Sequence, residues 1–186
     1  MTVHPIEAES YRIMAGRVDL SDLEPGRRAV VERVIHASAD FEYAATMQFD
    51  EGAVEAAIDA LHAGATIVTD VEMVRAGIPG AVCHLPATPG AAATRSAAGI
   101  REAASLYPRR AVVVVGCAPT ALVEAIECAW DPAVIVGLPV GFVGAAESKE
   151  AARASRHRTI TNVGEKGGSA VAAAAVNALR RLAGAR

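Results

Sequence analysis

The chain has 186 residues, 52% of them hydrophobic, and a formal net charge of −3. That is enough for one domain with a buried core and too acidic for a general nucleic-acid binder; with aromatics at 4%, a base-stacking platform is also excluded. The three cysteines, Cys83, Cys117 and Cys128, make neither a disulfide framework nor a zinc motif, the opening MTVHPIEAESYRIM is too polar for a signal peptide, and no apolar run reaches the length of a membrane span, so a cytoplasmic protein is expected.

In chain order, helices are expected over 5–16 and 25–37, the second with Pro25 near its first position. SADFEYAATMQF, 38–49, reads as a polar crossing. DEGAVEAAIDALHAG, 50–64, places Val54, Ala57, Ile58 and Leu61 at i, i+3, i+4 and i+7, an amphipathic helix closed by Gly64. ATIVTD (65–70) reads as a buried strand, VEMVRAG (71–77) as a short helix and AVCHL (81–85) as a second strand. The loop PATPGAAA leads to the helix TRSAAGIREAASLY (94–107), with Thr94 as N-cap. RAVVVVG (110–116) is the clearest strand. The helix APTALVEAIECAW (118–130), the strand AVIVG (133–137), the helix AAESKEAARAS (145–155), the strand RTITN (158–162) and the helix GGSAVAAAAVNALRRLAG (167–184) follow. Short uninterrupted apolar runs alternating with helices require a parallel sheet covered on both faces. The fold expected over 1–186 is therefore one doubly wound α/β domain, with a mainly parallel sheet of about five strands and extra N-terminal helices. The pattern does not encode the strand order.

Ligands of such sheets bind beyond the carboxyl ends of the strands. Glycine, proline and small polar residues crowd those ends: Thr69, Asp70 and Glu72, then GCAPT (116–120), GLPVGFVGAAESKE (137–150) and TNVGEKGGS (161–169). Turns need such residues for backbone reasons alone, but GLPVGFVGA is long and apolar enough to form a wall for a flat, greasy ligand. In GEKGGS, the helix dipole and Lys166 favour an anion near Gly167, Gly168 and Ser169, against the plainer reading of a glycine-rich cap. No nucleotide-binding fingerprint is present. Arg95 could clamp a carboxylate or be solvated. Lys149, Arg153, Arg156, His157 and Arg158 form either a basic patch for a polyanionic small molecule or a solvated face. Cys117, between a strand and a helix N-terminus, is placed for a lowered thiol pKa or is a small buried residue.

His36 falls off the apolar stripe of Val30, Val31, Val34 and Ile35. It is either solvated or faces a ligand or partner. Its place near a helix C-terminus favours imidazolium, the form a general acid needs.

Together, several stretches resemble the precorrin-8X methylmutase family, including its cobalt-precorrin-8 branch. They are IHA at His36, AGATIVTDVEMVRAGI (63–78), TRSAAGI (94–100), APTAL (118–122), GLPVGFVGAAESKE (137–150) and KGGSAVAAAAVNAL (166–179), in family order. The resemblance implies a homodimeric α/β isomerase late in corrin-ring synthesis for cobalamin. It would move a methyl group from C11 to C12 by a 1,5-sigmatropic shift, giving hydrogenobyrinate or cobyrinate, with no external methyl donor, metal or other cofactor. The tetrapyrrole substrate and product are the implied ligands, with no nucleic acid or membrane. His36 matches the family's active-site histidine, a general acid, and Arg95 its active-site arginine; Ser10 falls on a serine of a related N-terminal motif. Thr94, Ser96, Gly141, Lys166, Gly167, Gly168 and Ser169 are expected to bind substrate. The chain departs from the family at Cys117, usually asparagine, at Glu165, commonly basic, at ESY (9–11) in place of RSF, and in a shorter loop before Thr94. A non-catalytic corrinoid-binding or carrier relative is the alternative function, and an unrelated hydrolase built on Cys117 a third.

Overall fold

In the computed structural model, which describes residues 4–184, the elements are α1 (Pro5–Ala15), α2 (Pro25–Ser38), α3 (Tyr43–Thr46), β1 (Met47–Phe49), α4 (Ala53–His62), β2 (Ile67–Thr69), α5 (Glu72–Ala76), β3 (Val82–Cys83), α6 (Arg95–Leu106), β4 (Val112–Val115), α7 (Pro119–Glu127), β5 (Val134–Gly137), α8 (Ala145–Arg153), β6 (Thr159–Asn162) and α9 (Ser169–Leu182). They build one six-stranded sheet in the order β1-β6-β5-β4-β2-β3. Strands β2 to β6 run parallel, and β1 pairs antiparallel with β6.

The four valines of β4 are wholly buried, and alternation sends them to two separate cores. Val112 and Val114 meet Val30, Val34, Ala172 and Val176 on the side of α2, α4 and α9. Val113 and Val115 meet Ile100, Leu122 and Trp130 on the side of α6 and α7. Each such valine contributes roughly 1.5–3 kcal/mol of apolar burial, which is why the short runs of valine and isoleucine settle as central strands. The alanines of α9 serve close approach: a Cβ on Gly116 would lie 2.8 Å from that of Ala172, and one on Gly77 2.8 Å from that of Ala173.

The sheet has one strand more than the apolar runs suggest. Residues 47–49 leave the expected polar crossing to form β1, paired Met47 with Asn162 and Phe49 with Ile160. Three residues of alternating burial on an edge carry too little pattern to stand out. AVCHL contributes only Val82 and Cys83 as strand. Among the described residues no helix is long and apolar enough to cross a membrane.

Parallel pairing delivers the ends of β2 to β6 to one edge. Asp70, His84, Gly116–Thr120, Leu138–Gly144 and Val163–Ser169 therefore share that edge. Helix α6 lies hard against the exit of β3: a Cβ at Gly99 would stand 1.6 Å from the His84 carbonyl oxygen. The obstacle is backbone and cannot rotate away. Gly99→Ala is therefore expected to lower stability by about 3 kcal/mol, read as a lowered urea midpoint; an unchanged midpoint would contradict this contact.

Candidate active site

Just beyond β2, the buried side chain of Asp70 reaches the turn after β4. Oδ1 accepts from the Gly116 N–H at 3.1 Å, and Oδ2 accepts from Cys117 N–H at 2.9 Å and Ala118 N–H at 2.8 Å. Burial pushes this carboxyl above the ordinary range, while the three backbone donors favour its ionised form. Amides leading into α7 are thus satisfied from within. The consequence for Cys117 corrects both readings of it, the lowered thiol pKa and the buried side chain. Its side chain is exposed, yet partial burial first, and the Asp70 carboxylate second, push the thiol up rather than down. A helix start activates a thiol only while its positive end is free; here a carboxylate occupies it.

The turns after β5 and β6 are fastened together. Gly141 N–H donates to the Glu165 carbonyl at 3.1 Å, and Gly168 N–H to the Leu138 carbonyl at 2.8 Å. Gly167 has no room for a side chain, since a Cβ there would meet the Leu138 and Pro139 carbonyl oxygens at 2.3 and 2.5 Å. From this platform Phe142 and Val143 stand out, 91% and 88% exposed, with Val140 and Val163 beside them. The apolar wall expected from GLPVGFVGA is therefore a rim open to solvent. Ser169 begins α9. Lys166 reaches back to Asp40 at 2.6 Å and Glu42 at 2.9 Å, so its charge is already met by two carboxylates.

Residues 149–158 form neither a basic patch nor one solvated face. Lys149 is wholly buried and His157 nearly so, Arg153 donates to Thr161 Oγ1 and the Asn162 carbonyl, and Arg156 donates to the Trp130 carbonyl.

His36, one turn before the left-handed Ala39 that caps α2, is half-buried off the core stripe. Its Nδ1 lies 2.9 Å from Ser10 Oγ of α1. The ring stacks on Tyr11, with centroids 5.0 Å apart and planes 6° from parallel. Ser10, Met14, Arg17 and Phe41 share with it a cavity of about 160 Å³. Glu7, one turn before Tyr11, bridges Arg33 at 2.9 Å and Arg181 at 3.3 Å. Burial works against its charge, but Arg181, Arg33 and His36 hold its carboxyl below the usual range.

Thr94 caps α6, accepting from Ala97 N–H at 3.1 Å, and its hydroxyl meets that of Thr120 at 2.8 Å, which ties the start of α6 to the start of α7. Arg95 is exposed; its Nε donates to the Pro86 carbonyl at 2.6 Å. Ser96 follows it, half-buried. Arg95 does not line the cavity that His36 lines. The histidine and Lys166 stand beyond β6, the 138–144 turn beyond β5, and the Arg95 turn beside α7, so the sites expected from the sequence are spread along the edge rather than gathered in one pocket. Asp70 was noted in the sequence only as one of the residues at a strand end, without this role, and Tyr11 was given none.

The precorrin-8X methylmutase family model matches residues 5–182. The chain is 45% identical over 175 residues to the cobalt-precorrin-8 methylmutase of Methanothermobacter thermautotrophicus, covering 88% of this chain and 84% of that one. It is 38% identical over 199 residues to the precorrin-8X methylmutase of a Sinorhizobium species, covering 95% and 93%. The solved structure of the precorrin-8X methylmutase from Thermus thermophilus superimposes with a TM-score of 0.88 at 39% identity, covering 97% of this chain and 98% of that one.

Because Cys117 is held as a thiol, its alkylation rate is expected to climb only at pH values above the roughly 8.5 of a free cysteine. A pH profile of labelling by iodoacetamide checks this, and fast labelling at neutral pH would contradict it.

Proposed function

The chain belongs to the precorrin-8X methylmutase family, and on that premise we propose how its residues share the reaction. The activity is that of a precorrin-8X methylmutase, an isomerase of cobalamin biosynthesis. The carrier reading is not favoured, since the relatives bear the enzyme's name across many species. No nucleophile is required, because the methyl group moves with its bonding pair from C11 to C12 of one molecule. What the reaction needs is a ring held in one geometry and a proton delivered to it.

His36 is the general acid. The observation that carries this role is the Ser10–His36–Tyr11 arrangement. In the imidazolium, Nδ1–H donates to Ser10 Oγ and Nε2–H is left for the macrocycle. After transfer the neutral ring keeps its Nδ1–H on the same serine, so no tautomer exchange is needed. Tyr11 fixes the plane of the ring. Protonation makes the conjugated ring electron-poor and eases migration, and because the product is an isomer of the substrate, the ring gives a proton back to the neutral Nε2 of His36 once the methyl group has moved. The cavity at His36, about 160 Å³, is below the roughly 300 Å³ of a small-ligand pocket. The macrocycle therefore lies over the strand ends against the 138–144 rim, with one carboxylate arm on the open side of the Arg95 guanidinium. Backbone amides at Gly167 to Ser169 receive another arm, helped by Thr94, Ser96 and Gly141 as shape rather than charge. A second copy of the chain covers the exposed Phe142 and Val143, making a cytoplasmic homodimer that closes the site.

His36→Ala is expected to cut conversion at least ~100-fold while hydrogenobyrinate still shifts its visible bands on binding. Normal turnover by this variant would remove His36 from the mechanism, and product binding without turnover by the unaltered protein would favour the carrier instead. Arg95→Ala is expected to weaken product binding about tenfold to a hundredfold, the loss of one charged hydrogen bond, in a titration followed by absorbance.

A further inference from the structure

We propose that Lys149 is a positioning residue: from beneath the edge it turns the Lys166–Gly167 peptide so that the Gly167 N–H faces outward and receives a carboxylate of the macrocycle. This rests on the functional reading above.

Lys149 is fully buried on α8. Its ammonium donates to the Lys166 carbonyl at 2.7 Å and to Asn162 Oδ1 at 3.1 Å, and both acceptors are neutral. Asn162 Nδ2 donates to the same Lys166 carbonyl at 2.9 Å and to that of Val163 at 3.2 Å. One carbonyl is thus gripped by two buried donors. A trans peptide is planar, with its C=O and N–H opposed; with the carbonyl drawn inward, the Gly167 N–H is directed outward. It finds no acceptor among the described residues. The close approach of Gly167 to the Leu138 and Pro139 carbonyls leaves no room for a side chain at this position.

A buried ammonium facing neutral acceptors is expensive, and an unbranched apolar side chain would fill the same space. What the charge adds is polarisation: a cation on the carbonyl strengthens the N–H at the other end of the peptide as a donor. Positive potential thereby reaches the surface beside the rim while the ammonium stays dry. The Lys166 ammonium is occupied by Asp40 and Glu42 and does not substitute for it. Burial first, and Arg153 on the next turn of α8 second, lower Lys149 to about 8, with Glu165 on the loop opposing both. An arriving carboxylate favours the charged form, so it raises that pKa. Affinity is then full below pH 8 and declines as pH rises above it.

The chain has two lysines, Lys149 and Lys166, so lysine labelled with carbon-13 at Cε gives two assignable signals. The test follows both by NMR across pH, with and without hydrogenobyrinate, and measures product affinity by absorbance over the same range. We expect the Lys149 midpoint to rise by about one unit on binding, and affinity to fall about tenfold in all between the plateau well below pH 8 and the plateau well above the bound-state midpoint. Lys149→Met should bind about tenfold more weakly below pH 8, lose this pH dependence and keep kcat at saturating substrate, whereas Lys166→Met should keep the dependence. If Lys149→Met does not fold, the unaltered protein's NMR titration decides. Binding that is flat with pH, with no ligand-induced change at Lys149, overturns the proposal and leaves the function intact. No binding at any pH overturns the functional reading and this one with it.

Discussion

Val112–Val115, a strand with no exposed side chain on either face, is the constraint from which the rest of the molecule follows. Two covered faces require helices on both sides, and helices on both sides require parallel crossovers. Parallel crossovers bring every strand-to-helix turn of β2 to β5, and the exit of β6, to one edge. The two cores diverge from β4, one toward α2, α4 and α9, the other toward α6 and α7. The chemistry-bearing residues are not in either core; they stand where the cores end.

That edge is built so that most of its charges answer one another. Asp70 satisfies the amides of the β4 turn, and Lys166 is held between Asp40 and Glu42. Charge left for a ligand is sparse: the outer guanidinium of Arg95, the free nitrogen of His36, and backbone donors. A large ring with several carboxylates suits such a surface, because separate, oriented donors offer one place for each arm. A dense cationic patch would bind any polyanion in any pose, and an intramolecular shift gains nothing from tight binding without orientation.

Much of the fold was legible in the chain. Runs such as VVVV and VIVG announce central parallel strands because both their faces are apolar, and the helices between them carry their own periodicity and caps. β1 was not legible, since three residues on an edge show no period, and the strand order was not, since crossover direction is decided by packing between distant segments. For the site, the off-stripe placement of His36 was visible from helical spacing alone, and the family motifs named Ser10 as well. The Tyr11 stack was invisible: it joins residues far apart in sequence, and periodicity is blind to that. Two expectations failed for the same reason. The lowered-pKa reading of the Cys117 thiol was judged by its helix and not by Asp70, 47 residues earlier, whose carboxylate accepts from the Cys117 N–H. The basic stretch 149–158 was judged by composition, although Lys149 turns inward. Local pattern reports which residues are charged, and only tertiary structure reports which way they point.

Helix α1 buries a single residue, Met14, and is otherwise attached through the Ser10–His36 bond, the Tyr11 stack and the Glu7 bridges to Arg33 and Arg181. It contributes no strand to the sheet, yet it carries the hydroxyl and the ring that hold the His36 imidazole. With His36 in the role proposed for it, folding and competence are separable in this protein. A chain can be native in every strand and still be chemically silent if this one helix lifts away, and because ionic contacts help seat it, screening by salt acts on the reaction before it acts on the fold.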